Sequence, residues 1–305
     1  MARSSLWLAL GICVGLGGCE QSPAPSPAPS GATLQPASAA PQQLPAASAA
    51  PSATPAASAV ALSRADFARL FSELSESGEY FFSDNYVSNE TSYLQVSAQL
   101  QKRKRPGRAY IGVGPEQNFT YVSMLQPELA FILDIRRANA IEHLWYKVLF
   151  EAASTRFEFL AALIGRDAKA PPAQDAPLQA VLQSVDALPK SDEHFEESRA
   201  RSLEAIAGLG IQLSEKDRKD LAASQQAFYD KGLDLAFELH EKNGRKYPSL
   251  KSLLLQQDPQ GVQAGFLRSH ESYEQLRKMQ QQNRIIPVVG NFAGDKALPA
   301  IAKEL

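Results

Sequence analysis

Between Ala109 and Asp134 the chain carries residues whose types and spacing fit ligand binding. Gly112-Val113-Gly114-Pro115-Glu116-Gln117-Asn118 stands between an apolar run and a helical pattern. Asp134 follows about twenty residues on, at the end of the next apolar run. Glycine lets a backbone pass close to a bound molecule. The first turn of a helix offers N–H groups that no helical carbonyl reaches. An acidic residue at the end of the second strand is placed to accept hydrogen bonds from ribose hydroxyls. Gly112, Gly114, Glu116, Asn118 and Asp134 are therefore candidate contacts for a small, nucleoside-like ligand of the adenosine type. The third glycine of the dinucleotide fingerprint is absent, with Asn118 near that position. The same residues thus also fit a tight strand-to-helix turn followed by a surface aspartate. Upstream, Asn85, Asn89 and Glu90 sit among Tyr80, Phe81, Phe82 and Tyr86. Polar groups amid aromatics need partners, and a ligand edge is one. The aromatics themselves fit either a stacking surface or a core.

The elements that must position these residues are legible in part. Ser63, with Asp66 three residues later, caps a helix whose Phe67, Leu70, Phe71 and Leu74 share one face, and Gly78 is its expected stop. Phe81 to Leu94 is irregular, and a helical stretch from Tyr93 to Leu100 leads into Lys102-Arg103-Lys104-Arg105. Ala109–Val113 and Leu129–Ile135 are short apolar runs and are expected as buried strands, with a helix over Gln117–Leu125 between them. A long helix is expected from about Ile141 to Ile164. This alternation predicts a parallel sheet with crossover helices. From 167 to 283 only loops and helices are expected, including one capped by Ser214 that runs towards Lys242 and one capped by Ser269. A third buried strand follows at Ile285–Val289, then a loop and a last helix over 295–304. Three strands make a thin sheet against the usual four to six or so.

Several chemistries lack their residues. His143, His194, His240 and His270 show no His-x-x-x-His spacing, so no metal site is expected. No Gly-x-Ser-x-Gly elbow is present to anchor a hydrolase triad. The net charge of −2 gives no global argument for a nucleic-acid partner. Lys102 to Arg105, with Arg108, fits an anion-binding patch or a solvated loop before a strand, and the solvated loop is favoured.

The first sixty or so residues read differently. One cation, Arg3, precedes an apolar run from Leu6 to Leu16, which is shorter than the roughly 20 residues a membrane span requires. The run ends in Leu16-Gly17-Gly18-Cys19, which resembles the bacterial lipobox. That resemblance implies a signal peptide over 1–18 and lipidation of Cys19 (a diacylglyceryl thioether, with acyl chains such as palmitate). It further implies a lipoprotein anchored to a membrane of the cell envelope, on the periplasmic or outer-membrane face. Cys13 would leave with the signal, so no cysteine would remain for a disulfide or a thiol nucleophile. Residues 20–61 are almost wholly Ala, Pro, Ser and Gln and carry no charge between Glu20 and Arg64. Such a segment has nothing large to bury and is expected to be a disordered linker. The remainder, 62–305, is long enough for one sizeable core.

Three segments resemble an uncharacterised bacterial family: Tyr110 to Tyr121, Ala130 to Arg137 and Glu142 to Lys147. Two further blocks, Asp84 to Glu90 and Ile286 to Gly294, are similar to it as well. Members of that family look like class I S-adenosylmethionine-dependent methyltransferases in fold. The resemblance implies an α/β domain of the Rossmann-like, three-layer type, with a large helical insertion over about 167–283. Asn291 stands where that family pattern leads one to expect an aspartate, and it joins the candidate site residues. Similar proteins continue past the final helix, so the domain is expected to lack C-terminal strands. Two functions are implied: a methyltransferase using S-adenosylmethionine, or the same fold holding a ligand or protein partner without transfer. Methyl transfer by direct displacement needs mainly positioning, so a missing acid or base does not exclude it. An anchor outside the cytoplasm would separate the domain from the supply of S-adenosylmethionine. The reading with a non-catalytic binding role is therefore favoured.

Overall fold

The structure is a computed structural model and describes residues 61–305 apart from Pro106 and Lys242. The expected signal peptide, Cys19 and the Ala/Pro/Ser-rich segment up to residue 60 lie outside the described residues. The described chain is mixed α/β. It runs α1 (Arg64–Leu74), α2 (Ser97–Lys102), β1 (Ala109–Val113), α3 (Gln117–Leu125), β2 (Leu129–Asp134), α4 (Arg137–Ala152) and α5 (Arg156–Leu163). It continues through α6 (Leu178–Asp186), α7 (Asp192–Ala207), α8 (Glu215–Lys231), α9 (Leu250–Leu254), α10 (His270–Gln281), β3 (Ile285–Val289) and α11 (Ala297–Glu304). Among the described residues no helix is long and apolar enough to cross a membrane.

The three strands form one parallel sheet in the order β1-β2-β3. Every residue of β3 is buried, and so are five of the six in β2. Successive side chains of a strand point to opposite faces, so both faces of this part of the sheet are covered, with α4 and α1 packing against β3. The expected alternation of strand and helix is present, and 167–283 holds helices and loops with isolated bridges only. β1 is an edge strand: Ile111 and Val113 are exposed, on the face opposite Gly112.

Three expected boundaries move. Ser63 caps α1, its side chain accepting from the Asp66 N–H at 3.0 Å. The helix nevertheless ends at Leu74, not at Gly78, because the Ser75 hydroxyl, 2.5 Å from the Phe71 carbonyl, also accepts from the Val289 N–H at 3.0 Å and ties the helix end to the sheet. The long helix after β2 breaks at Ala153, which is extended; Thr155 and Glu158 then form a capping box that starts α5. The helix capped by Ser214 stops at Lys231, where Gly232 takes φ +57, and does not reach Asn243-Gly244. The basic run 102–105 is exposed at the end of α2, as expected for a solvated loop.

The core beside the glycine turn centres on Phe119 of α3. Its ring is fully buried and meets His143, Tyr146 and Phe150 edge-on at 5.3–5.4 Å, with Phe266 at 5.5 Å. Phe119→Ala should lower unfolding free energy by about 3–5 kcal/mol in urea titration. A loss below about 1 kcal/mol would show that this cluster does not hold α3 to α4.

Candidate functional site

The glycine turn is shaped by Asn118. Its Nδ2 lies 3.1, 3.0 and 2.9 Å from the carbonyls of Val113, Gly114 and Pro115, so two hydrogens are shared over three acceptors. Its Oδ1 accepts from the Tyr110 hydroxyl at 2.7 Å. The side chain is buried and faces its own turn. Gly112 serves the same packing, since a Cβ there would lie 2.0 Å from Asn118 Oδ1. Gly114 differs. It adopts φ +91, and a Cβ on it would meet nothing within 4 Å. Its carbonyl also receives His143 Nε2 at 3.0 Å, which fixes the proton of that imidazole on Nε2.

An acid, Glu116, immediately precedes α3. Glu116 is buried, and its two oxygens accept from the Ser88 N–H at 3.2 and 3.0 Å. Its own N–H also bonds the carboxyl. This carboxyl therefore pins the segment around Ser88 across the turn, and it makes no capping bond to the N–H groups of α3. Burial pushes Glu116 up to about 7, against the lowering effect of those N–H groups. Beneath it, burial raises Glu142 well above the usual carboxylate range, opposed by Arg136. Burial lowers His143 to about 4, opposed by the Gly114 carbonyl bond.

A cleft of about 320 Å³ opens at the carboxyl ends of the strands. Asn85, Asn89, Gly114, Asp134 and Asn291 line it, so the structure brings these five expected site residues together. Gly112, Glu116, Asn118 and Glu90 do not line it. The first three build the turn, and Glu90 accepts from the Ser92 N–H at 2.8 Å. Asp134 is buried, and its Oδ1 accepts from the Arg136 N–H at 2.8 Å. Burial raises its pKa and that bond opposes the rise. Asn291 accepts from the Ala293 N–H at 2.9 Å through Oδ1, a turn-forming role that an amide fills as well as a carboxylate.

Of the other wall residues, Phe81 belongs to the aromatic cluster and Gln117 to the glycine segment, whereas Phe237 and Phe292 carry no local sequence signal. Phe81, Phe237 and Phe292 supply apolar surface, and Ser88 and Gln117 add polar groups. The antiparallel bridge between Ser83 and Leu239 brings the segment of Phe237 alongside that of Asn85. Core packing fails as a reading for Tyr80 and Phe82, which are 80% and 54% exposed, while Tyr86 is half-buried against the core. Among the described residues lining the cleft there is no Lys, Arg or His.

The chain belongs to the DUF7790 family. The model of that family, a domain of unknown function, matches residues 85–305. No curated protein matches the chain. The DUF7790 region thus begins at Asn85, on the cleft wall, and takes in the turn, Asp134 and Asn291.

The two shifted groups at the turn oppose each other in one pH window. Glu116 holds its proton more tightly folded than unfolded. Its contribution is full below about pH 4.5 and is lost as pH rises through about 7. His143 does the reverse: its contribution is present above about 6.5 and is lost as pH falls through about 4. Glu116→Gln removes only the first. The stability of wild type minus that of Glu116→Gln should therefore fall by up to about 3 kcal/mol between pH 4.5 and 7.5 in urea titration. A difference that stays constant with pH would contradict the assignment.

Proposed function

We propose that the cleft binds a nucleoside-like ligand that carries no phosphate, and that the domain is a methyltransferase-like, Rossmann-type fold used for binding. Read outward from the β1 edge, the order β1-β2-β3 matches the first half of a doubly wound sheet, in which strand 1 carries the glycine turn. Ligands of such sheets bind outside the carboxyl ends of the strands. Helices α6 to α10 lie between α5 and β3 and form the insertion in this reading.

The observation that carries the proposal is the pairing of Gly114 and Asp134 on a wall without cations. Gly114 turns open space towards the ligand, and Asp134 ends β2 beside it. Asp134 Oδ1 is held by Arg136, which leaves Oδ2 for a ribose hydroxyl. Phe81 and Phe237 offer apolar surface for a base, and Asn85 and Asn89 offer amides for its edge. A phosphate would find no cation on the wall, and the Asn118 and Phe119 N–H groups at the start of α3 already donate to the Pro115 and Glu116 carbonyls. A neutral nucleoside avoids this conflict.

The same cleft also favours a second reading. A sulfonium nucleoside such as S-adenosylmethionine places a positive charge near Asp134, and displacement needs no base on the wall. Binding without transfer is preferred because the lipobox-like Leu16-Gly17-Gly18-Cys19 would make the chain an envelope lipoprotein, anchored through lipid on Cys19. There the domain would lie away from the compartment that makes the cofactor.

Calorimetric titration separates these readings. Adenosine or S-adenosylhomocysteine should bind the full chain at least tenfold more tightly than AMP or NAD. Asp134→Ala should weaken that binding by roughly 1–3 kcal/mol and still melt cooperatively, at a temperature lowered by loss of the acceptor for the Arg136 N–H. Tighter binding of AMP, or no heat with any nucleoside at millimolar concentration, would overturn the proposal. Methylation of an acceptor by the purified chain would favour the second reading.

A further inference from the structure

A second cleft, of about 390 Å³, lies away from the strand ends, between the C-terminal half of α4, α5 and α7. Its size is that of a small-ligand site. The space exists because small residues stand where helices would otherwise interlock: Ala152 on α4, Ala162 on α5, Ala168 just beyond it and Ala205 on α7. Val148, Leu149 and Ala153 floor it and are all buried. Water over such a floor finds few hydrogen-bond partners, so an apolar chain displaces it favourably.

One side of the cleft is cationic and preformed. Gly165 takes φ +63 after α5, and a Cβ there would lie 2.7 Å from the Phe195 ring. That turn places Arg166, which is 6% exposed. Its guanidinium donates to the carbonyls of Ile164 at 2.6 Å and Tyr229 at 3.0 Å, and lies 4.7 Å from the centroid of the Tyr229 ring. Tyr229 in turn stacks on Phe195 at 4.1 Å. Arg166 is thus oriented by carbonyls and an aromatic face, with no carboxylate bonded to it. His194, Ser198, Arg201 and Ala205 follow on one face of α7 at i, i+4, i+7 and i+11 and line the same cleft. The acids nearby are engaged: Glu158 accepts from the N–H groups of Ser154 and Thr155, Asp167 pairs with Lys169 at 2.7 Å, and Glu197, outside the cleft lining, makes an exposed pair with Arg201 at 3.2 Å.

We infer that this cleft binds a single-chain anionic amphiphile, its tail on the Val148–Leu149 floor and its head towards Arg166, His194 and Arg201. The inference is independent of the nucleoside cleft. The head group is a carboxylate or a phosphate monoester, and the experiment distinguishes them.

The full chain is titrated calorimetrically, below micelle-forming concentrations, with laurate, with lauroyl lysophosphatidate and with dodecyltrimethylammonium. At least one anion should bind one to one, and at least tenfold more tightly than the cation. Laurate as the tighter ligand identifies a fatty-acid site, and lysophosphatidate as the tighter ligand identifies a lipid-headgroup site. Ala152→Phe and Ala205→Phe place rings in the cleft from exposed positions, and each should weaken binding at least tenfold without lowering the melting temperature. Arg201→Gln should weaken the anion several-fold and leave the cation unchanged. The inference is overturned by absence of saturable binding to wild type, by equal binding of the cation, or by full binding to both phenylalanine variants.

Discussion

The glycine turn depends on one buried amide. Asn118 lies across Val113, Gly114 and Pro115 and anchors its own Oδ1 on Tyr110. Backbone carbonyls buried at a turn need donors, and an unmet one costs about 1–3 kcal/mol. The Asn118 side chain supplies those donors from within the helix that the turn begins. Everything on that side of the cleft follows from this. Gly112 must lack a side chain to leave room for Asn118, and Gly114 is turned towards open space. His143 completes the arrangement from α4 by donating to the Gly114 carbonyl.

The second constraint is electrostatic. Glu116, Glu142 and His143 are buried around this turn, and burial acts on each against its charged form. The acids are driven up and the imidazole down, so the interior reduces its own charge near neutral pH. Glu116 retains a direct task in either protonation state, because both of its oxygens face the Ser88 N–H. The cleft above it inherits a wall of amides, hydroxyls and apolar rings with Asp134 as its acid. Such a wall discriminates by charge as well as by shape: an anion would be desolvated without a compensating cation.

The three strands were legible because each is a short apolar run bounded by glycine, proline or polar residues, and the structure places them at the expected positions. Helix starts at Ser63, Ser214 and Ser269 were legible for a local reason: each serine accepts an N–H three residues on. Helix ends were less so. The apolar pattern runs unbroken from α4 into α5, and the break at Ala153 is enforced by the Thr155–Glu158 box. Gly232 ends α8 by its positive φ well before the more obvious Asn243-Gly244. Five of the candidate site residues were legible from type and position. The roles of Glu116 and Asn118 were not, because both depend on burial that only the folded loop and turn create. Phe237 reaches the cleft through a contact between distant segments, which no local pattern encodes.

Hydrogen–deuterium exchange on the full chain, with and without saturating adenosine, tests the central claim most directly, because it reports where the ligand acts. The account predicts slower exchange at the amides of Asn85 to Asn89, Gly114 to Gln117 and Asn291 to Ala293, with α7 unchanged. Unaltered exchange in all three segments at a ligand concentration that saturates the chain, or protection confined to α7, would contradict it.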